Sequence, residues 1–260
     1  MTCLYPKIVK NNANNFVGIT KCGKCIVCRE ARIKAWYLRL LCEMSYTDQN
    51  YCLTLTYDNE SLPWRGNLRH YDVQCYLKRL RKKVEGTISY YVAGEYGEGS
   101  GRAHYHLLIF FKGDDDKFLQ KCIDEWPFGH VYKDMMNPKA IRYTLDYLQK
   151  DMSRHAEAKV KPYQKMSKGL GLDYLLQNEK QIASKTYIEV KGIRYAVPEY
   201  FRKKSELVDS SIREAYNELL DENQLLRENF LNKRKSDYIK KAEQTRENIL
   251  ARKRIKRGSL

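Results

Sequence analysis

The chain has 260 residues, 43% of them hydrophobic, and its 48 lysines and arginines against 32 aspartates and glutamates leave a formal net charge of +16. That length suits one enzymatic domain with appendages, and the charge calls for a polyanionic partner, nucleic acid being the simplest. No stretch approaches the ~20 apolar residues of a spanning helix, and the opening MTCLYPKIVKNNANN lacks the apolar core of a secretory signal, so an intracellular protein without a membrane partner is expected.

Cysteines dominate the first segment. Disulfides are rare in a reducing compartment, so Cys42, Cys52, Cys75 and Cys122 read as buried or free thiols, and Cys3 carries no interpretable signal. Cys22, Cys25 and Cys28 differ, because C-x2-C-x2-C spacing brings three thiols close enough to share an ion. A structural Zn2+ would want a fourth ligand, for which Cys42 or a histidine is the candidate. Three reduced thiols near a loop, or ligands of an iron–sulfur cluster, are the alternatives. Residues 29–44 then place Ile33, Trp36, Tyr37, Leu40 and Leu41 on one broad helical face. In YCLTLTY, Tyr51, Leu53, Leu55 and Tyr57 alternate with Cys52, Thr54 and Thr56, which predicts a strand. DNESLPWRGN is a loop by its Asp, Asn, Pro and Gly content. Residues 72–84 read as a helix with Val73, Tyr76, Leu77 and Leu80 inward. Its outer face, Lys78, Arg79, Arg81, Lys82 and Lys83, is either solvated or a phosphate-contacting surface.

The stretch YYVAGEYGEGSGRAHYHLLIFF over residues 90–111 is the most informative part of the chain. His104 and His106 stand two apart in an apolar run, so on a strand both imidazoles project from one face and Tyr105 from the other. The glycine-rich GEGSGR reads as a hairpin loop. Pairing Tyr96 with Ala103 sets Glu95 directly opposite His104; a one-residue slip would break that arrangement. Two histidines and a carboxylate on one face make a candidate divalent-metal site, with a solvated polar face as the plain alternative. Next come GDDDKFLQKCIDEW, a helix opened by Asp114–Asp116 near its positive end, and FGHVYKDM, a short strand with His130. AIRYTLDYLQK follows Pro138, contains no glycine and reads as a helix with Tyr143 and Tyr147 one turn apart on one face. Core packing is the usual fate of aromatics so spaced; two hydroxyls presented to a metal-bound phosphate are the other reading. This order of elements predicts an α+β fold, helices packed on a central antiparallel sheet.

From about Glu206 the character changes. Leu207, Ile212, Tyr216, Leu219, Leu220, Leu226, Phe230 and Leu231 form an imperfect helical stripe amid abundant charge, and glycine and proline are absent from 203 to 256. A C-terminal helical extension is expected, packing back on the domain or mediating a dimer. It ends in ARKRIKRGSL, a basic phosphate-binding tail. The expected divisions are a cysteine-rich segment and helix (1–45), a catalytic core (46–155), an extension (156–205) and the helical tail (206–260).

The His104-Tyr105-His106 triplet resembles the HUH motif of the HUH endonucleases, the rolling-circle replication initiators and their relatives. More closely, the chain is similar to the replication initiation proteins of gokushovirus-type microviruses, small single-stranded-DNA bacteriophages. CGKCIVCR, CLTLTYDNESLP, GEYGEGSGRAHYHLLIF, the paired-tyrosine helix, MSKGLGLDYL and IRYAVPEYF carry the resemblance in order, over about four-fifths of the chain. It implies a central antiparallel sheet with the HUH strand in its middle and the tyrosine helix facing it. It also implies Mg2+ or Mn2+ on Glu95, His104 and His106, and nicking of single-stranded origin DNA by Tyr143 or Tyr147 to leave a 5′-phosphotyrosine and a free 3′-OH. The partners would be the viral origin and host polymerase, in the bacterial cytoplasm. Asp146 departs from the pattern, which has Lys or Arg just before the second tyrosine; Lys150 is the candidate substitute. No Gly-x4-Gly-Lys-Ser/Thr loop is present to power unwinding, which would fall to a host helicase. A plasmid or transposon HUH nickase, and a non-catalytic single-stranded nucleic-acid-binding protein whose aromatics stack on bases, are the rival readings.

Overall fold

Residues 103–112, AHYHLLIFFK, form β5, and the contiguous apolar run Leu107–Phe111 within it has side chains on both faces that need cover. A strand apolar on both faces belongs inside a sheet, not at its edge. In the computed structural model, which describes residues 3–14, 16–97, 99–147, 160–179, 182, 187–190 and 192–208, β5 is the middle strand of five. It lies between β3 (Gln49–Thr56) and β4 (Thr87–Tyr96), with β6 (Val131–Met135) and β7 (Tyr163–Met166) at the edges. Every pairing in this sheet is antiparallel. The predicted α+β architecture is therefore the observed one, with the histidine strand at its centre.

Alternation along the strands separates two cores. On one face Leu53, Leu55, Val92, Tyr105, Leu107, Ile109 and Phe111 pack against α2 (His70–Lys83) and α3 (Phe118–Asp124). On the other, Tyr91, Leu108 and Phe110 lie under α1 (Ile26–Met44) and α4 (Pro138–Asp146), through Ile33, Leu40, Leu41, Ile141 and Leu145. Each such fully buried large side chain contributes about 1.5–3 kcal/mol relative to exposure. The second face is covered only over part of its length, and the histidines lie just past the cover. A third cluster joins Leu38 and Cys42 of α1 to Leu175 of α5 (Leu172–Gln177), Ile188 of β8 (Tyr187–Val190) and Phe201 of α6 (Glu199–Val208). β8 pairs with β9 (Ile193–Ala196).

Several expectations are revised. α1 begins at Ile26, not residue 29, because Cys25 supplies an extended N-cap. α3 covers only Phe118–Asp124, and Asp114–Asp116 precede it; Asp115 instead accepts from the Lys117 N–H at 3.0 Å and pairs with Lys121 at 2.8 Å. A hairpin of β1 (Lys7–Lys10) and β2 (Phe16–Thr20) opens the described chain, where no element was expected. The basic run on α2 belongs to the sheet face opposite the histidines, and two of its members, Arg79 and Lys83, pair with Glu125. Among the described residues no helix is long and apolar enough to cross a membrane. Lys150 and the expected tail over 209–260, with its dimer and phosphate-binding roles, lie outside the described residues.

Candidate active site

The hairpin register is the one that sets Glu95 opposite His104: Tyr96 pairs with Ala103, Glu95 with His104 and Ala93 with His106. Three side chains consequently meet above one sheet face. His104 Nε2 is 2.9 Å and His106 Nε2 3.2 Å from the same oxygen, Glu95 Oε1, and the imidazole rings lie 5.0 Å apart, edge to face. Neighbours aim both rings. The carbonyl of Arg102 lies 3.2 Å from His104 Nδ1, and because a carbonyl only accepts, that nitrogen carries the proton. In the neutral ring Nε2 then offers a lone pair toward Glu95. Thr54 Oγ1 reaches His106 Nδ1 at 3.3 Å from the paired position on β3. Such outer partners fix the tautomer and orientation of metal-binding histidines.

Electrostatically the cluster asks for a cation. Burial pushes the Glu95 carboxyl up, but hydrogen bonding with His104 and His106 and their charge outweigh it and hold the group at about 2. Glu95 is therefore a buried carboxylate facing two nitrogens, and an acceptor 2.9 Å from a lone pair is tolerated only with a proton or metal between them. The ligand atoms all lie within 4.8 Å of one another. Donors at right angles about 2.1 Å from one ion stand about 3 Å apart, which is the spacing these three residues offer. The donor set fits a divalent ion; nitrogen and carboxylate ligands alone do not choose among Mg2+, Mn2+ and Zn2+.

α4 brings the tyrosines to this cluster. Asn137 caps it by accepting from the Ala140 N–H at 3.0 Å, with Pro138 in the first turn. Ile141, Thr144 and Leu145 are buried, leaving Tyr143 and Tyr147 on a face turned to the histidines. The Tyr147 ring stacks on His106 at 4.6 Å and 12° between planes. Tyr143 stands edge-on to His106 at 5.9 Å and to Tyr147 at 5.2 Å. Tyr143 is no core residue, being 60% exposed. Burial first, then hydrogen bonding with Tyr143 and the Glu95 charge, pushes the Tyr147 hydroxyl far up, so the protein's own groups hold its proton in place.

Asp146 is occupied elsewhere. It accepts from Arg142 Nε at 3.0 Å, while the same guanidinium grips Glu30 of α1 at 3.1 Å. Arg142 thus ties the tyrosine helix to α1 and points its charge away from the histidines. Three contributors escaped the sequence reading. Thr54 could have been found only from the long-range β3–β5 register. Tyr132, 64% exposed, is paired with Thr54 and so extends the histidine row to the sheet edge. The Glu30–Arg142 link joins residues 112 apart in sequence.

Comparison with known proteins agrees with this geometry. The profile of a family described as replication-associated protein ORF2 matches residues 50–152, a span holding Glu95, both histidines and both tyrosines. The chain is 30% identical over 209 residues to replication-associated protein ORF4 of Chlamydia phage 1, covering 70% of this chain and 52% of that one. It is 30% identical over 222 residues to replication-associated protein ORF2 of Spiroplasma virus 4 (71% and 67%). A third relative, replication-associated protein VP4 of Bdellovibrio phage phiMH2K, is 28% identical over 207 residues (70% and 65%). The matched stretch thus spans between about half and two thirds of these relatives' lengths. No solved structure is significantly similar to the chain.

Proposed function

The chain belongs to the family of microvirus replication-associated proteins, and from that premise we propose that it is a rolling-circle replication initiator that nicks and rejoins single-stranded origin DNA through tyrosine. The observation that carries the reading is the packing of two tyrosines, 4.6 and 5.9 Å away ring to ring, on a histidine that shares a carboxylate oxygen with a second histidine. Glu95, His104 and His106 would hold Mg2+ or Mn2+. When bound, that ion would polarise the scissile phosphate, offset its added charge and reverse the field that now keeps the Tyr147 proton in place.

The chain's own groups do the rest. A phenol oxygen of Tyr143 or Tyr147 loses its proton and attacks phosphorus; the bond to the 3′ oxygen breaks and that oxygen leaves as a 3′-OH, taking up a proton. One phosphodiester is exchanged for another, a 5′-phosphotyrosine, so rejoining needs no ATP. The free 3′-OH primes host polymerase, and unwinding falls to a host helicase in the bacterial cytoplasm. Two tyrosines allow one to hold the old end while the other cuts after a full circle. Exposed Tyr132, on the same face of the sheet, is placed to stack on an unpaired base. Lys150 would offset phosphate charge in the role Asp146 cannot take.

Incubation with single-stranded origin DNA and Mn2+ tests the reading. His106→Ala should abolish cleavage, a loss on the order of 10^3-fold or more, while most DNA binding survives because phosphate contacts come mainly from Lys and Arg. Full activity of that variant would overturn the metal assignment. A wild-type protein that binds the DNA but never cuts it would favour a non-catalytic binding protein.

A further inference from the structure

Four cysteines that the nicking chemistry does not use come together at the other end of α1. The β1–β2 hairpin carries Cys3 just before one strand and Cys22 just after the other. Gly23, at φ 71°, turns the chain in the left-handed region that glycine tolerates, and Cys25 then caps α1, with Cys28 in its first turn. The four Sγ atoms all lie within 4.8 Å of one another. Cys42, the fourth ligand expected from the sequence, is instead fully buried with Leu38 and Leu175, and among the described residues no histidine joins the cluster.

Spacing identifies what the cluster is built for. Cys3 Sγ is 3.9 Å from Cys25 Sγ, and Cys22 Sγ is 3.9 Å from Cys28 Sγ. A disulfide would require about 2.05 Å, whereas the edge of a tetrahedron of sulfurs about 2.3 Å from a central ion is about 3.8 Å. The backbone also prepares thiolates. The Cys22 N–H donates to Cys3 Sγ at 3.2 Å, and the Lys24 and Cys25 N–H groups donate to Cys22 Sγ at 3.4 and 3.3 Å; such bonds favour the charged sulfur. Cys25 and Cys28 further occupy the positive end of a 19-residue helix with no acidic residue in its first turn. Arg32 reaches back to the Gly23 carbonyl at 3.0 Å, adding positive charge beside a site that four thiolates and one divalent ion would leave at net −2.

We infer that Cys3, Cys22, Cys25 and Cys28 bind one zinc ion as a closed tetrahedral tetrathiolate. Four protein ligands leave no open position, which makes the ion structural; binding releases the thiol protons to solvent. The zinc clamps the β1–β2 hairpin to the start of α1. Glu30, two residues beyond Cys28, grips Arg142 beside Tyr143, so the clamp steadies the tyrosine helix from its far side. This inference stands whether or not the protein nicks DNA.

Metal analysis of the purified full chain after dialysis against metal-free buffer should find about one zinc per chain. Cys3→Ser should lower that content severalfold, whereas Cys42→Ala and His106→Ala should retain it. Protein refolded with Co2+ should show the intense visible bands and thiolate-to-cobalt charge transfer of a tetrahedral sulfur site, a readout on the unaltered sequence that holds even if the serine variant fails to fold. Absence of zinc, iron in its place, weak octahedral cobalt bands, or a folded Cys3→Ser protein with undiminished zinc would each overturn the assignment.

Discussion

The two faces of β5 carry polar clusters of opposite design. Beneath the strand, Tyr57 donates to Asp72 at 2.8 Å and lies 3.0 Å from the Tyr105 hydroxyl, which in turn accepts from the Arg69 N–H at 2.8 Å. Burial above all pushes both phenols up, so each keeps its proton and the buried Asp72 carboxylate is met by a donor. Above the strand, His104 and His106 converge on one oxygen of Glu95, ring nitrogens facing a carboxylate. A network closed by the protein's own hydrogen bonds is structural, because buried polar groups are costly unless paired. One that is completed when a cation joins it stores that cost for a ligand to relieve. Tyr105 and its two flanking histidines are neighbours in sequence, yet a single pleat assigns them to structure and to chemistry.

That contrast predicts opposite signatures for substitutions on the two faces. The largest effect should come from Glu95→Gln, which removes the charge that attracts the ion. Cleavage should fall on the order of 10^3-fold, and the rise in Tm that saturating Mn2+ gives the unaltered protein, worth about 2.7 kcal/mol at 100 times Kd, should vanish. An undiminished Mn2+ shift would show that the ion binds elsewhere. Thr54→Val keeps shape but removes the hydroxyl that orients His106; metal affinity should drop about 10–100-fold, with cleavage restored by raising Mn2+. A loss that excess metal cannot rescue would mean Thr54 touches the DNA. Beneath the sheet, Tyr57→Phe leaves buried Asp72 short of a donor and should cost about 1–3 kcal/mol in stability without altering cleavage per folded molecule. Reduced turnover with unchanged Tm would erase the distinction between the faces. The smallest effect belongs to neither face. Deleting residues 252–260 should flatten the salt dependence of single-stranded DNA binding by about 0.7 in log–log slope per lost phosphate contact, and leave cutting of a short origin intact. If cutting stops, the tail belongs to the active site.

How much of this was legible in the sequence depends on whether the responsible contact is local. The hairpin was readable because GEGSGR confines the turn, so two alternating strands leave one register that keeps Glu95 and His104 together. Helix α4 was readable from Pro138 and its unbroken pattern, and Tyr143 with Tyr147 followed from periodicity. Cys3 was not, because its partner lies 19 residues away across a hairpin whose first strand, KIVK, is only four residues long and leads into NNANN. Thr54 was equally hidden: its pairing with His106 spans 52 residues, and nothing in YCLTLTY marks one threonine over another. β7, reading YQKM, has mixed polarity because an edge strand needs no continuous apolar face. The basic run on α2 shows the converse failure, for local charge says nothing about which side of the sheet a helix covers.

The central claim is that Tyr143 and Tyr147 are the nucleophiles, and the most direct measurement maps the covalent DNA adduct. Phe in place of Tyr removes only a hydroxyl, so the outcome reports chemistry and not packing. Protein trapped on single-stranded origin DNA with Mn2+ should carry the nucleotide on Tyr143 or Tyr147 by mass spectrometry. Each single Phe variant should retain some first cleavage while failing in repeated cutting and joining, and the double variant should form no adduct. DNA found on any other tyrosine, or a Tyr143→Phe, Tyr147→Phe double variant that still links to DNA, would contradict the account.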